Sequence, residues 1–305
     1  MFKKITAIVL VLAAVFALCA CGSKNAEPLK IGIPDDATNG GRAIKLLESA
    51  GLIEVDPSVG WTPELKDVTK YIYNIEIVPT TANTLPSTLD DFGGATINGT
   101  YAAPVGLIPS KDGLIIESQS GASDGSGNPY VNIIVARSSE KDNEVYAKVV
   151  EAFQTDLVAQ YTVAKYNESY IPAFAYTNTD MSDEELLDLI DNYQSDPAGK
   201  TVVKFGVCGA SNDHYKACQY VLDQENAGIY LDLIVFDAYN LPNEALNNGD
   251  IDLNSFQHKA YLAKEVDSLG YEIETIGDTI MAPLTLYSAK FDSLDALKEV
   301  AGLLK

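Results

Sequence analysis

Short apolar, mostly β-branched runs alternate along the chain with stretches whose apolar positions recur at helical spacing. Residues 29–34, 74–79, 95–97 and 131–136 read as strands, as do 201–207, 231–236 and 271–276. Between them, residues 41–50, 215–224, 244–248 and 257–270 carry the period of half-buried helices. A longer helical stretch, 143–166, places Val145, Val149, Val150, Phe153 and Leu157 at helical spacing. Strands that alternate with helices predict an α/β protein with mostly parallel sheets, since a parallel pair needs a long crossover.

Two stretches interrupt this alternation. Residues 118–129 are a Gly/Ser/Asn/Asp cluster, expected as an exposed loop. Residues 177–200 hold a short acidic helix, 182–193, opened by Ser182-Asp183-Glu184-Glu185, a pattern that lets Ser and Glu satisfy two orphan amides reciprocally. Asp196-Pro197-Ala198-Gly199 closes it. No internal repeat is visible, and 305 residues suit two lobes at roughly 100–200 residues each.

The first twenty residues stand apart from this pattern. Lys3 and Lys4 precede an apolar run from Ile5 to Ala20, shorter than the ~20 residues a spanning helix needs. Leu18-Cys19-Ala20-Cys21, followed by Gly22 and Ser23, resembles a bacterial lipobox. That resemblance implies cleavage before Cys21, lipidation of its thiol, and anchoring at the cell membrane facing outside the cytoplasm. A secretory signal that merely contains cysteines is the other reading. Residues 1–20 are thus expected as a signal peptide and 21–28 as a tether.

Acidic residues outnumber basic ones 43 to 21. No basic stripe remains to neutralise phosphates, so nucleic acid is excluded as a partner class. Cys208 and Cys218 read either as small buried thiols or as a bridge that an exported location permits. Neither belongs to a metal-ligand spacing. The chain has no Walker loop, no Gly-x-Ser-x-Gly elbow and no His-Glu-x-x-His, so no cofactor is implied. Asp35 and Asp36 lack a companion nucleophile, and catalysis has no support.

Three segments carry groups suited to a ligand. Thr38-Asn39-Gly40-Gly41-Arg42 lies between strand and helix, where free amides favour an anion. Its glycines would let a ligand approach the backbone, and Arg42 offers a planar fork for a carboxylate. A capped turn with a solvent-facing arginine explains the same residues. Phe256, His258 and Tyr261, with Tyr239, could clasp an apolar or thioether side chain, or simply pack in the core. Asn98, in Ile97-Asn98-Gly99-Thr100-Tyr101, can both accept and donate at an amino-acid head group, as any turn asparagine can. His214 is expected to cap or pack.

Longer strings carry a resemblance. Lys30-Ile31-Gly32-Ile33-Pro34-Asp35-Asp36-Ala37-Thr38-Asn39-Gly40-Gly41-Arg42, Asn128-Pro129-Tyr130-Val131-Asn132-Ile133-Ile134-Val135 and Asn248-Gly249-Asp250-Ile251-Asp252-Leu253-Asn254-Ser255-Phe256-Gln257-His258-Lys259 are among them. Together they resemble the NlpA/MetQ family of methionine-binding lipoproteins over most of the mature chain. The resemblance implies a two-lobed, type II periplasmic-binding-protein fold with the ligand in the interlobe cleft. It implies a non-enzymatic role: binding methionine and passing it to an ABC permease with its ATPase. By the same resemblance, Arg42 pairs with the substrate carboxylate, and Asn39 and Asn98 hold the head group. Tyr239, Phe256, His258 and Tyr261 enclose the side chain. Two departures bear on the ligand: Pro34-Asp35-Asp36 replaces the family's Pro-Asn-Asp, and Ser211-Asn212-Asp213-His214 stands where the family has Pro-His-Ala-Glu. Another amino acid, a methionine-containing peptide, or a surface lipoprotein without cargo therefore stay open.

The order of these blocks differs from the family's. The blocks around Tyr239 and Phe256 come first in the family and last here. The chain therefore looks like a circular permutant whose usual ends are joined through 177–200. One lobe is expected at 29–129 and the other at 130–305, with a single covalent crossing between them and a looser hinge. A truncated tandem duplication, completing its cleft with a second chain, is the competing account.

Overall fold

A computed structural model describes residues 27–60, 62–118, 128–167 and 169–304. Cys21, the signal peptide and most of the 118–129 loop lie outside these residues. The strands, in chain order, are β1 (Leu29–Pro34), β2 (Ile53–Val55), β3 (Val68–Tyr71), β4 (Ile75–Thr80), β5 (Gly94–Ile97), β6 (Gly113–Ile116) and β7 (Val131–Arg137). They continue with β8 (Ile171–Pro172), β9 (Thr201–Cys208), β10 (Ile229–Phe236), β11 (Leu253–Asn254), β12 (Ile273–Met281) and β13 (Thr285–Tyr287).

Two larger sheets organise the chain. One has the order β4-β1-β5-β13-β6 and the other β10-β9-β11-β7-β12-β8; β2 and β3 form a small hairpin. Each sheet is mixed rather than mostly parallel. β1 runs parallel to β4 and β5, and β9 to β10 and β11, while β13 and β7 run antiparallel to their neighbours. β7 and β13 are the strands by which the chain enters a sheet after crossing from the other, whereas β6 and β12, by which it leaves, run in the direction of β1 and β5 or of β9 and β11.

The first lobe shows why the sequence folds as it does. Ile31 and Ile33 on β1 are fully buried, and the helix Ala37–Ser49 lays Ile44, Leu46 and Leu47 against them. Burying side chains of this size contributes about 1.5–3 kcal/mol each. Asp36 caps that helix by accepting from the Asn39 amide, and the turn after it passes through Gly51 at φ +68°, a left-handed conformation that favours glycine.

Three expectations change. The chain crosses between sheets twice, from β6 to β7 and from β12 to β13, so both crossings are covalent. Residues 285–304, expected in the second lobe, return to the first. There β13 pairs with β5 and β6, and Leu286 and Leu297 join the core around Ile31 and Leu47. A three-residue strand states no partner in its own sequence, which is why the boundary is not visible there. The 143–166 stretch is two helices, Glu144–Phe153 and Asp156–Lys165, because Thr155 takes an extended conformation between them.

The segment 177–200 is more than a connector. Its helix, Asp183–Asp191, opens with the Ser182/Glu185 capping box and buries Leu186 and Ile190 completely. Tyr161 and Lys165 bond to Asp191, while Tyr193, Ser195 and Lys200 converge on Asp223. At the other pole, residues 29 and 302 meet at one residue: the Leu29 amide donates to Asn74 O and the Asn74 amide to Gly302 O, both at 2.9 Å.

Candidate functional site

The cleft between the sheets gathers residues from both. Asn39 and Arg42 come from the helix that follows β1, and Asn98 precedes the short helix Gly99–Ala102 after β5. Tyr239 follows β10, Phe256 and His258 follow β11, and Tyr261 stands in the first turn of the helix Lys259–Leu269. All seven line a single cavity, together with Thr100 and Asn132. The space between its atoms totals about 320 Å³, but a water centre can occupy only about 20 Å³ of it, little more than one water requires. The lobes are drawn in on the site, and Tyr101 and Asn83 both donate across the cleft to Asp237 O.

At one end of the cavity, Arg42 is buried and already paired. Its Nε donates to Glu117 Oε1 at 2.6 Å, and its Nη2 donates to Oε2 of the same carboxylate and to Ala282 O at 3.1 Å. The guanidinium carbon lies 4.5 Å from the centre of the Tyr130 ring, a cation–π contact. Glu117 Oε2 also accepts from the Leu284 amide at 3.2 Å. Arg42 is thus held at both crossings, at Glu117 and Tyr130 on one and at Ala282 on the other. Sequence reasoning did not find Glu117, 75 residues away. The available signal was an acid ending the apolar run Leu114-Ile115-Ile116 in a chain with a candidate buried arginine.

Asn39 links the lobes. Its backbone and side-chain amides donate to Asp36, and its Oδ1 accepts from Asn98 Nδ2 at 2.8 Å. His258 Nε2 lies 3.4 Å from that same oxygen, while His258 Nδ1 accepts from the Tyr261 amide. This network assigns the proton to Nε2. Burial first, and the nearby Arg42 charge second, hold His258 well below the usual histidine range, so it is neutral. Asn98 Oδ1 is buried without a hydrogen-bond partner.

At the other end Tyr239, Phe256 and Tyr261 form an aromatic wall with centroids about 6 Å apart, and Tyr101 packs on Tyr239 at 4.9 Å. The Phe256–His258 turn is fixed from beneath by a buried amide cluster in which Gln257 exchanges hydrogen bonds with Asn243 and donates to Asn254. Gly40 and Gly41 do not open the backbone to a ligand, as their position suggested. A Cβ there would lie 2.9 Å from Pro34 O and 3.0 Å from the Thr62–Pro63 backbone, so they serve packing. The helix starts at Ala37, not near 41, and its first amides are taken by Asp36. Cys208 and Cys218 are free and buried, and His214 packs among Phe153, Tyr166, Tyr170 and Tyr215.

Two α/β lobes joined by two crossings, with a cavity lined from both sides, define a bilobal α/β protein with an interlobe site. The NlpA lipoprotein family matches residues 25–174 and 203–303, and the chain belongs to that family. It is 43% identical over 131 residues to the D-methionine-binding lipoprotein MetQ of Yersinia pestis, covering 42% of this chain and 46% of that protein. It is 39% identical over 140 residues to the same-named protein of Escherichia coli K12, covering 45% and 49%. The chain spans about half the length of the curated relatives it matches. Among solved structures it is similar to the methionine-binding protein MetQ (38% identity, 32% of this chain, 41% of that chain, TM-score 0.30). A nutrient-binding protein from Burkholderia cenocepacia bound to methionine gives 28% identity, 32% and 42% coverage, and a TM-score of 0.30.

Proposed function

We propose that this chain is the non-enzymatic substrate-binding lipoprotein of an ABC importer, taking methionine into the interlobe cleft and passing it to a permease and its ATPase. Cys21 carries the lipid that holds it at the outer face of the cell membrane. Arg42 receives the substrate carboxylate, Asn39 and Asn98 hold the head group, and Tyr239, Phe256, His258 and Tyr261 enclose the thioether side chain. The observation that carries this reading is the convergence of all seven residues, from both lobes, on one cavity. A cation, neutral amides and an aromatic wall match the three parts of methionine, since sulfur packs well against rings. The names of the MetQ relatives agree with that ligand.

The reading includes a circular permutation. Three observations support it: family matches flank 175–202, curated relatives align over about half their length, and residues 29 and 302 share Asn74. Calorimetry with L-methionine, D-methionine and a panel of other amino acids tests the function. Arg42→Ala should weaken methionine binding by roughly 10- to 150-fold, the worth of a charge-assisted hydrogen bond. A wild-type chain that ignores both forms of methionine would defeat the reading.

A further inference from the structure

Ten large apolar side chains are exposed among the described residues. Seven are spread from Leu65 to Leu269, but Val300, Leu303 and Leu304 fall within one short stretch, 64%, 67% and 49% exposed. Apolar residues scattered singly over a surface are ordinary, whereas a cluster marks a place that something covers. Nor is this stretch a frayed end. The Asn74 amide donates to Gly302 O and the Leu304 amide to Ile72 O, each at 2.9 Å, and Leu303 bridges Tyr73 in antiparallel sense. The backbone is therefore fixed, and the three side chains face outward from it. Half-buried Ile72 and Tyr73 flank them, and Lys298 Nζ lies 5.8 Å from the centre of the Tyr73 ring. A tyrosine with a cation at its side suits the boundary between an apolar layer and water.

What covers the cluster follows from where the chain ahead of β1 leads, given the lipid at Cys21 on which this inference rests. The Leu29 amide donates to Asn74 O and the Asn74 amide to Gly302 O, so the start of β1 and the apolar cluster share one pole of the first lobe. Eight residue steps separate Cys21 from Leu29, a reach of at most about 29 Å and on average about 16 Å. A lipid on Cys21 thus keeps this pole beside the bilayer, and at the effective concentration such a short tether gives, weak apolar contacts suffice. With acidic residues outnumbering basic ones 43 to 21, and Glu299 exposed beside Val300, the attraction is apolar rather than a pull on anionic headgroups. We propose that Val300, Leu303 and Leu304 dip into the headgroup–acyl boundary of the bilayer that holds the Cys21 lipid, fixing how the first lobe stands on it. β1 runs away from this pole, and Asn39 and Arg42 lie beyond its far end, so the contact keeps the cleft off the bilayer.

The test is spin-label accessibility on the full lipidated chain in phosphatidylcholine nanodiscs, with mass spectrometry of Cys21 as the check on anchoring. Val300→Cys carries the label, and Val235→Cys, exposed on the second lobe, is the aqueous reference. Cys208 and Cys218 are buried away from the reagent. Oxygen concentrates in lipid and a nickel complex in water, so the ratio of their relaxation effects should be severalfold higher at 300 than at 235. Adding Leu303→Glu and Leu304→Glu should return 300 to the aqueous ratio with the melting temperature nearly unchanged, because neither side chain is packed in a core. A lipidated chain whose label at 300 reads like that at 235 would overturn the inference and spare the transport reading. So would spin–spin broadening at 300 without a gain in the oxygen ratio, which would seat a second copy on the cluster. If Cys21 carries no lipid, the anchoring falls and the inference with it.

Discussion

Exchanging Glu117 for Gln keeps the shape of Arg42's partner and removes its charge. The two side chains are 12% and 3% exposed, so solvent offers the remaining guanidinium little compensation. Removing one member of a buried pair costs about 3–5 kcal/mol. The lower end applies here, because a Gln oxygen still accepts one N–H and Ala282 O and the Tyr130 ring stay in place. A chain of this size loses roughly 2–4 °C per kcal/mol, so the melting temperature should fall by about 6–12 °C without ligand. Saturating methionine should then narrow the gap, since its carboxylate restores a counter-charge at Arg42. In wild type, methionine at a hundredfold excess over Kd stabilises by about 2.7 kcal/mol, and in Glu117→Gln the gain should be larger. Differential scanning calorimetry of both proteins, with and without methionine, gives the four values needed. A variant that melts within a degree of wild type in the absence of ligand would refute the account of Glu117 as the charge that holds Arg42. A methionine gain no larger than wild type's would refute the counter-charge step.

Leu186→Ala should cost about 2–5 kcal/mol, because Leu186 is fully buried in the second-lobe core; a urea midpoint shifted by less than the equivalent of 1 kcal/mol would return 175–202 to the status of a loose connector. A chain re-ordered to start at Gly199 and end at Ala198, which keeps the helix Asp183–Asp191, with 302–304 joined to 27–29, should fold and bind as the native order does, because both new ends are exposed and the joined residues share Asn74; loss of cooperative unfolding would argue against permutation. Acid should destabilise the protein through its histidines. His214 and His258 are held neutral by burial, below the ~6.5 they have when unfolded. The unfolded chain therefore binds more protons below that value. Stability present above it is lost as pH falls, by up to about 1.4 kcal/mol per pH unit for each histidine. Urea melts between pH 7 and 5 should show a shallower slope for His214→Phe, and equal slopes would contradict this.

The alternating strands and helices of 29–50 and 201–236 were legible because each element carries its own period, and the helix after Ser182 because Ser182 and Glu185 announce its start, whereas the cap at Asp36 was missed and that helix was read as starting near 41 rather than at Ala37. The proposed binding residues were legible for a different reason. Their strings are distinctive enough to identify a family, whereas Asn98 or Phe256 alone reads equally well as a turn or a core residue. What stayed hidden is long-range pairing. Nothing within Thr285–Tyr287 states that it lies between β5 and β6, and nothing within Gly113–Ile116 states that the next residue, Glu117, neutralises Arg42. The two glycines before Arg42 were misread because the backbone they accommodate belongs to residues 62–63, distant in sequence. The α/β class is a local property of this chain, while the lobe boundary is a property of pairings that span it.

The clasp at Asn74 also has a mechanical meaning. A load applied at Leu29 runs lengthwise along β1, which is in register with β4 over six residues and with β5 over two. Such a pull shears the ladder, so its hydrogen bonds resist together rather than opening one after another as a peeled edge would. Beyond the far end of β1 lie Asp36, Asn39 and Arg42. In the proposed lipid-anchored protein, tension at Leu29 is therefore delivered along the strand that leads directly to Asn39 and Arg42, the proposed head-group residues, and the six-residue ladder stands between the two.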